Sequence, residues 1–378
     1  MNMKILKLSL KNYRNYSNLN IELSPNLNIF IGNNAQGKSN ILESIFVLAL
    51  TKSYMNVKDK NLIKDGEDFS RIKATILDND IETKYEVVIS DTSKKLKVNR
   101  SEIKKYSDYV SRIKVLIFSP YNVNFIKDGP AVRRKSVNMV MTQFFEHYVK
   151  LLQNYNAVLK KRNQFLKNIT YMDDYQRIYL DKINDKFCTL AVDIVLFRKL
   201  FIDKVNQILP TIYQEIMGYS NLNLVYHTNI SVYDEKDIMI CQMEEQLYSS
   251  FEREKMYGIT LIGPHRDDFI FQLDEKELSI YGSQGQIRAA ILALKLSEVT
   301  IFKEKDGFYP ILLLDDIFSE LDVEKRNRLI QYILDDVQTI ITTTDIDLID
   351  KDLVDKAYVF QVNNGKVVFH RKKECNNE

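Results

Sequence analysis

Apolar residues recur at every second position over the first third of the chain and at helical spacing over the second. Leu6, Leu8 and Leu10 alternate with polar neighbours, as do Leu19, Ile21 and Leu23, with Asn-rich turns between the runs. A period of two predicts half-buried strands. Further strand-like pieces lie at 71–77, 84–90, 95–99 and 113–119, and the breaks Asp78-Asn79-Asp80 and Asp91-Thr92-Ser93 sit where hairpin turns belong. From about Ala131 the period lengthens. Val137, Met141, Phe144, Tyr148, Leu151, Tyr155 and Val158 follow steps of four and three, continuing to Phe165. After a polar break, Leu180, Ile183, Phe187, Leu190, Ile194, Phe197 and Phe201 repeat the pattern. Two such seams predict an antiparallel, coiled-coil-like helical hairpin whose apolar stripes are core. Pro210 is expected to end or kink its second helix. A strand at 222–226 and an amphipathic helix at 234–254 follow.

From about Gly258 strands and tight turns return. Gly263-Pro264-His265-Arg266-Asp267-Asp268 is a polar corner ahead of an apolar run at 269–273. Tyr281-Gly282-Ser283-Gln284-Gly285-Gln286 opens a helix carrying Ile287, Ile291, Leu294 and Leu296. Pro310 to Leu314 reads as a buried parallel strand ending in Asp315-Asp316, and Ser319-Glu320-Leu321-Asp322 caps the next helix. A last apolar strand at 339–341 precedes Thr342-Thr343-Thr344-Asp345, and Asn363-Asn364-Gly365 marks a closing hairpin.

The candidate chemistry begins where the run Leu27-Asn28-Ile29-Phe30-Ile31 enters Gly32-Asn33-Asn34-Ala35-Gln36-Gly37-Lys38-Ser39 and then Asn40, the start of a helical pattern. Strand, loop and helix stand in the order a phosphate-binding loop needs, and the spacing G-x-x-x-x-G-K-[ST] is complete. Glycines let several N–H groups turn inward, and the helix start adds its positive end. Lys38 is placed to reach the β- and γ-phosphates of a nucleotide, and Ser39 to hold Mg²⁺. Asp315 fits the acid that serves the same ion from the end of a hydrophobic strand, and Asp316 the group that polarises the attacking water. The plainer alternative is that the two acids cap a strand end.

Charge sharpens this picture only locally. The chain of 378 residues has a net charge of +2, so bulk charge does not point to nucleic acid. The first long helix is lopsided: Arg133, Arg134, Lys135, Lys150, Lys160, Lys161, Arg162 and Lys167 face Glu146 alone. Such a face either contacts DNA phosphates or is simply solvated. Cys188, Cys241 and Cys375 are scattered, odd in number and without metal-ligand spacing, which fits a reducing compartment. The N-terminus is patterned as a strand rather than a signal peptide, and no stretch reaches the length of a membrane span. A soluble, cytoplasmic protein is expected.

The order of these segments carries a resemblance. A phosphate loop near the start, a helical insertion, a Ser-Gln-Gly-Gln helix start and a Leu-Leu-Leu-Asp-Asp strand resemble the ABC-type ATPases, in the branch with SMC-like heads. Within that branch the chain is similar to the RecF family of bacterial recombination mediators. The carrying residues are Asn12-Tyr13-Arg14-Asn15-Tyr16, Gly32–Asn40, Phe118-Ser119-Pro120, Lys127-Asp128-Gly129-Pro130 with Arg133-Arg134, Gly263–Asp268, Ser283–Gln286 with Leu292-Ala293-Leu294-Lys295-Leu296, and Leu313–Asp322.

The resemblance implies an α/β fold: a P-loop ATPase head with an inserted α-helical hairpin. Its lobes would be 1–125 with the phosphate loop, 126–255 as the insertion, and 256–378 completing the head. It implies an ATP-dependent homodimer that clamps single-stranded, gapped or junction DNA in recombinational repair, replication and the SOS response. RecR and RecO mediators would be its partners, and the RecA filament an indirect one. Ser283 and Gly285 would contact the γ-phosphate held by the partner's phosphate loop. Gln284 is a further contact or a helix opener, and Arg14 lies beside the nucleotide or on the surface of the first hairpin. His265 and Arg266 line the cleft or tie a turn.

The chain departs from the family pattern at Tyr121-Asn122, where an acidic pair is usual, and at Ile287, where a glutamine is usual before Arg288. Asp316 replaces a glutamate, and no histidine stands near Thr344. These differences imply a weak, DNA-stimulated ATPase in which ATP acts as a switch. Two other classes use the same loop. A small-molecule phosphoryl transferase has no need of Ser283–Gln286, and a transporter ATPase subunit lacks so long an insertion. Asp345 and Asp347 as nuclease acids are a weaker reading than a turn.

Overall fold

The computed structural model describes residues 3–169, 171–219, 221–321, 325–326, 329 and 337–371. Asp322 and Cys375, singled out above, lie outside them. The chain forms two compact units. One comprises 1–123, 212–218 and 288–378, and the other 124–211 and 219–287.

The first unit holds two sheets. One is antiparallel, in the order Tyr16–Glu22, Lys4–Tyr13, Phe69–Asp78, Ile81–Ser90, Lys94–Val98, Ser101–Glu102. Its strands alternate as expected, with one exception. The pairing of Lys4–Tyr13 with Phe69–Asp78 shifts register between Ile5 and Lys7. That bulge brings Ile5, Leu8 and Leu10 inward and leaves Leu6 half-buried. The other sheet runs Val115–Phe118, Ile311–Asp315, Thr339–Thr343, Leu27–Ile31, Tyr358–Asn363, all parallel, with Lys366–Arg371 antiparallel at the edge. Parallel strands covered on both faces read as continuous apolar runs. Ile311 to Leu314 is such a run, fully buried. The helix Lys38–Leu50 leaves the end of Leu27–Ile31 and is buried at nearly every position.

In the second unit the predicted hairpin is present. Aromatic contacts Phe144–Phe201, Tyr148–Phe197, Tyr155–Phe187 and Phe165–Tyr179 run in opposite chain directions, so the two arms are antiparallel. The first arm is not one helix. It divides into Pro130–Phe144 and Tyr148–Asn168. Phe145 is extended between them, and its ring packs at 4.8 Å on both Phe144 and Phe197. Pro210 does not end the second arm, whose helix runs from Asp174 to Met217, its residues from Ile212 on being counted with the first unit. Val205 and Leu209 before the proline and Ile212, Tyr213 and Ile216 after it are all buried. Packing of those turns outweighs the lost hydrogen bond, a cost of about 3 kcal/mol in an exposed helix. A three-stranded sheet, Lys276–Glu277, Asp268–Leu273 and Leu222–His227, and the helix Lys236–Tyr257 complete this unit. Residues 256–287 therefore cluster with the helical unit rather than with the ATPase sheet, because Asp268–Leu273 pairs with Leu222–His227.

Candidate nucleotide-binding site

The loop after Leu27–Ile31 is shaped by two turns remote in sequence. Gly37 has a φ of +111°, and a Cβ there would overlap the Asn15 amide. Backbone and space both demand glycine. A Cβ on Gly32 would likewise overlap the Val362 carbonyl oxygen. Asn15 Nδ2 donates to the Gln36 carbonyl at 2.9 Å, and its Oδ1 accepts from Asn40 Nδ2 at 2.9 Å. The Tyr16 hydroxyl donates to the Gly37 carbonyl at 3.0 Å. From the other turn, the N–H of Gly365 donates to the Gln36 carbonyl at 3.1 Å and that of Asn364 to Gln36 Oε1 at 2.6 Å. Asn33, Asn34 and Ala35 form the exposed tip, with Ala35 at φ 65°. The first turn of Lys38–Leu50 carries no acidic residue, so the positive end of the helix remains available to an anion.

Lys38 Nζ donates to the carbonyls of Gly32 and Asn33 at 2.6 and 2.9 Å. Burial lowers its pKa, opposed by the carboxylates of Asp316 and Asp315. Asp315 is 3% exposed. Its Oδ1 accepts from Ser39 Oγ at 2.7 Å and Thr342 Oγ1 at 2.8 Å, and its Oδ2 from the Tyr54 hydroxyl at 2.8 Å. Burial first, then Asp315, raises the Tyr54 phenol well above its ordinary value, so it stays protonated and donates. Asp316 adopts the left-handed conformation, φ 49° and ψ 28°, and its N–H donates to Thr342 Oγ1 at 3.0 Å. A non-glycine residue held in that region is typical of functional sites. Ser39 hydroxyl and Asp315 carboxylate are hard oxygen donors side by side, a set that fits Mg²⁺ carried in with phosphates.

This geometry is that of a phosphate-loop NTPase, and the likeness extends over the whole chain. The family described as RecF/RecN/SMC N terminal domain matches residues 4–367. The DNA replication and repair protein RecF of Bacillus velezensis is 38% identical over 369 residues, covering 97% of this chain and 100% of that protein. The chain belongs to the RecF family. RecF of Ligilactobacillus salivarius is 35% identical over 368 residues, 97% of each chain. The solved structure of the recombination mediator protein RecF-ATP in the RecFOR pathway is 29% identical, with a TM-score of 0.90 over 98% of each chain. The Smc head domain from Pyrococcus furiosus, at 15% identity and a TM-score of 0.54 over 97% of this chain and 96% of that one, shares the fold alone. The role of the chain is thus that of the RecF family, DNA replication and repair.

Other residues read from the sequence divide between structural and open roles. Arg14, half-buried on a turn with φ 52°, donates from Nε and Nη2 to the buried Glu43 carboxylate at 2.8 and 2.7 Å and from Nη1 to the Asn61 carbonyl at 2.8 Å. Its guanidinium is thus engaged with the side of the phosphate-loop helix. His265 Nε2 lies 3.0 Å from the Thr260 carbonyl, which can only accept, so Nδ1 accepts from the Tyr155 hydroxyl at 2.6 Å. Burial pushes the imidazole down to about 4. His265 therefore ties a turn, and Arg266 Nη2 donates to the same carbonyl at 3.2 Å.

The basic stripe shrinks. Arg133 forms a two-pronged pair with Asp268, Arg134 donates to the Asp267 carbonyl, and Arg162 is fully buried against Glu254 at 2.7 Å. Lys150, Lys160, Lys161 and Lys167 remain exposed. Asp345 caps a turn, its Oδ1 accepting from the Asp347 N–H at 2.9 Å.

Ser283 and Gln286 cap each other at the start of Gln284–Asp306. The Ser283 N–H donates to Gln286 Oε1 at 2.8 Å, and the Gln286 N–H to Ser283 Oγ at 3.3 Å. This is a capping box. Gln284 Oε1 accepts from Lys127 Nζ at 3.3 Å. Ser283, Gln284 and Gly285 are exposed, and a Cβ on Gly285 would find nothing nearer than Ser283 Oγ at 4.0 Å. Two residues at the acid escaped sequence reasoning. Tyr54 follows the phosphate-loop helix without a motif, and Thr342 was read only as a strand end. A hydroxyl at the tip of the strand beside Asp315 was the available signal.

Proposed function

We propose that the chain is an ATP-gated DNA clamp of recombinational repair and replication. Gly32 to Asn40 binds the phosphates of ATP, Lys38 neutralises the β- and γ-phosphates, and Ser39 and Asp315 hold Mg²⁺. When bound, Mg²⁺ supplies positive charge to the phosphate oxygens. Asp316 orients the attacking water, and Thr342 and Tyr54 fix the carboxylate beside it. Two copies meet with each phosphate loop facing the other's Ser283-Gln284-Gly285, where a serine hydroxyl and fresh helix N–H groups offer an anion site.

The observation that carries this reading is Gly285. Gly285 is the second residue of its helix, where glycine remains a weaker helix former than alanine. Among the described residues, nothing but Ser283 Oγ, at 4.0 Å, lies within 4 Å of where its Cβ would stand. A surface approaching from outside accounts for it. The solved relative's description with ATP in the RecFOR pathway supports ATP as nucleotide and RecR and RecO as partners; a RecA filament downstream is part of the proposal. The proposal takes single-stranded, gapped or junction DNA as ligand, the SOS response as context and the cytoplasm as location. Among the described residues no helix is long and apolar enough to cross a membrane.

Oligomeric state with and without ATP tests the clamp. Wild type should dimerise in ATP, whereas Lys38→Met and Ser283→Arg should both stay monomeric although they alter opposite faces. DNA binding should follow the dimer. Equal DNA affinity without ATP, by a monomer, would contradict the proposal. Hydrolysis should be slow even with DNA, and many turnovers per second would show ATP to be fuel rather than a switch.

A further inference from the structure

The loop that follows the phosphate-loop helix reaches back to the Mg²⁺ acid through one side chain. Tyr54 donates its hydroxyl to Asp315 Oδ2 at 2.8 Å, the oxygen that neither Ser39 nor Thr342 uses. Its ring stands edge-on to Phe46 of the helix at 5.5 Å and to Tyr121 at 6.3 Å. Tyr121 is 49% exposed and belongs to the corner after Phe118-Ser119-Pro120. The corner itself is rigid: Asn122 Oδ1 accepts from the Ser119 N–H at 2.7 Å, and the Asn122 N–H donates to the Ser119 carbonyl at 2.9 Å.

We propose that Tyr54 is a positioning residue for the cation-binding carboxylate, clamped between the phosphate-loop helix and the Tyr121 corner. A carboxylate with one oxygen held by a fixed donor keeps the other aimed at its metal position, and such outer partners tune metal affinity about ten- to a hundredfold. Without the phenol, Asp315 keeps Ser39 and Thr342 on Oδ1, but its carboxylate plane can swing because nothing else among the described residues holds Oδ2. Phe46 and Tyr121 fix the ring, so the hydroxyl arrives already oriented.

The inference rests on the ATP reading above, and the test separates the two. Affinity for a fluorescent ATP analogue is measured in Mg²⁺ and in EDTA, and the ratio reports the metal's share. Asp315→Asn should abolish the Mg²⁺ enhancement seen in wild type. Tyr54→Phe keeps the ring and should lower the ratio about tenfold while affinity in EDTA stays within about twofold. Tyr54→His, which retains a ring N–H donor, should restore part of it. An unchanged ratio in Tyr54→Phe, or an equal loss in both media, would overturn the positioning role. A wild-type protein that binds no analogue in either medium would instead sink the ATP reading.

Discussion

The phosphate loop and the Ser283–Gln286 corner both present glycine, serine and helix-start N–H groups, yet they are built in opposite ways. The loop is enclosed by its own chain. Asn15, Tyr16, Val362, Asn364 and Gly365 press on it, and Gly37 and Gly32 are glycines because side chains there would overlap those neighbours. The corner is exposed, held among the described residues by its capping box, the Ile287 N–H on the Ser283 carbonyl and side-chain bonds to Lys127 and Tyr219, and a Cβ on Gly285 would meet nothing nearer than Ser283 Oγ at 4.0 Å. The shape of the loop is set within a single chain. The corner is left open, as the proposed meeting of two copies requires. Gly37 and Gly32 are explained by their own chain, whereas the open space at Gly285 leaves room for the second copy proposed above.

Substitutions at matched positions test the contrast, and the largest effect belongs to the enclosed side. Lys38→Met should weaken ATP about a hundredfold, the worth of a charge-assisted hydrogen bond to phosphate. Ser283→Arg should leave the affinity of the monomer within about twofold. Equilibrium titration reads both, and equal losses would erase the distinction.

Acid should separate the regions next. His265 has its pKa pushed down to about 4 by burial, below its unfolded value of 6.5. The unfolded chain therefore binds more protons as pH falls from about 6.5 to about 4, and stability is lost across that window, by about 3 kcal/mol. Hydrogen exchange should show the helical unit opening first while the analogue remains bound at the loop. His265→Asn should flatten that part of the pH profile, and an unaltered profile would remove the histidine from the account.

Glycine replacements come third. Gly37→Ala should destabilise by about 2 kcal/mol, from the left-handed backbone and the lost space for Asn15. Gly285→Ala should raise stability by up to about 1 kcal/mol, yet impair the ATP-dependent dimer. Thermal melts with and without ATP decide, and a destabilised Gly285→Ala would show that its glycine serves the fold. The smallest expected effect is at the cap. Ser283→Ala should cost about 1 kcal/mol or less of helix stability, visible only in the melt of the ATP-free monomer.

What the sequence made legible follows from distance along the chain. The phosphate loop could be read because strand, glycines, lysine and helix are contiguous, and the acid strand because burial on both faces leaves an unbroken apolar run. The helical seams were legible for the same reason. The broken arm at Phe145 was not, since both aromatic residues fit the helical period and only the packing on Phe197 decides. Nor was the fate of the arginines. Arg162 reaches Glu254, Arg133 reaches Asp268 and Arg14 reaches Glu43, partners that no local pattern announces. Of the basic stripe, Arg133 and Arg162 thus turned inward to ion pairs and Arg134 to a backbone carbonyl, while Lys150, Lys160, Lys161 and Lys167 stay exposed. Tyr54 escaped for the same reason, its partner lying 261 residues away.

The turn at Asn364-Gly365 also has a bearing on synthesis. The bond from its Asn364 N–H to Gln36 spans 328 positions, and the strand that launches the phosphate loop lies between two strands, Thr339–Thr343 and Tyr358–Asn363, translated long after it. Contacts so distant in sequence form late and slowly. The nascent chain carries the complete phosphate-binding motif for most of its time on the ribosome without the scaffold that shapes it. Nucleotide competence should therefore arrive abruptly, when residues 339–365 emerge, so that ATP meets a finished head rather than a half-made one.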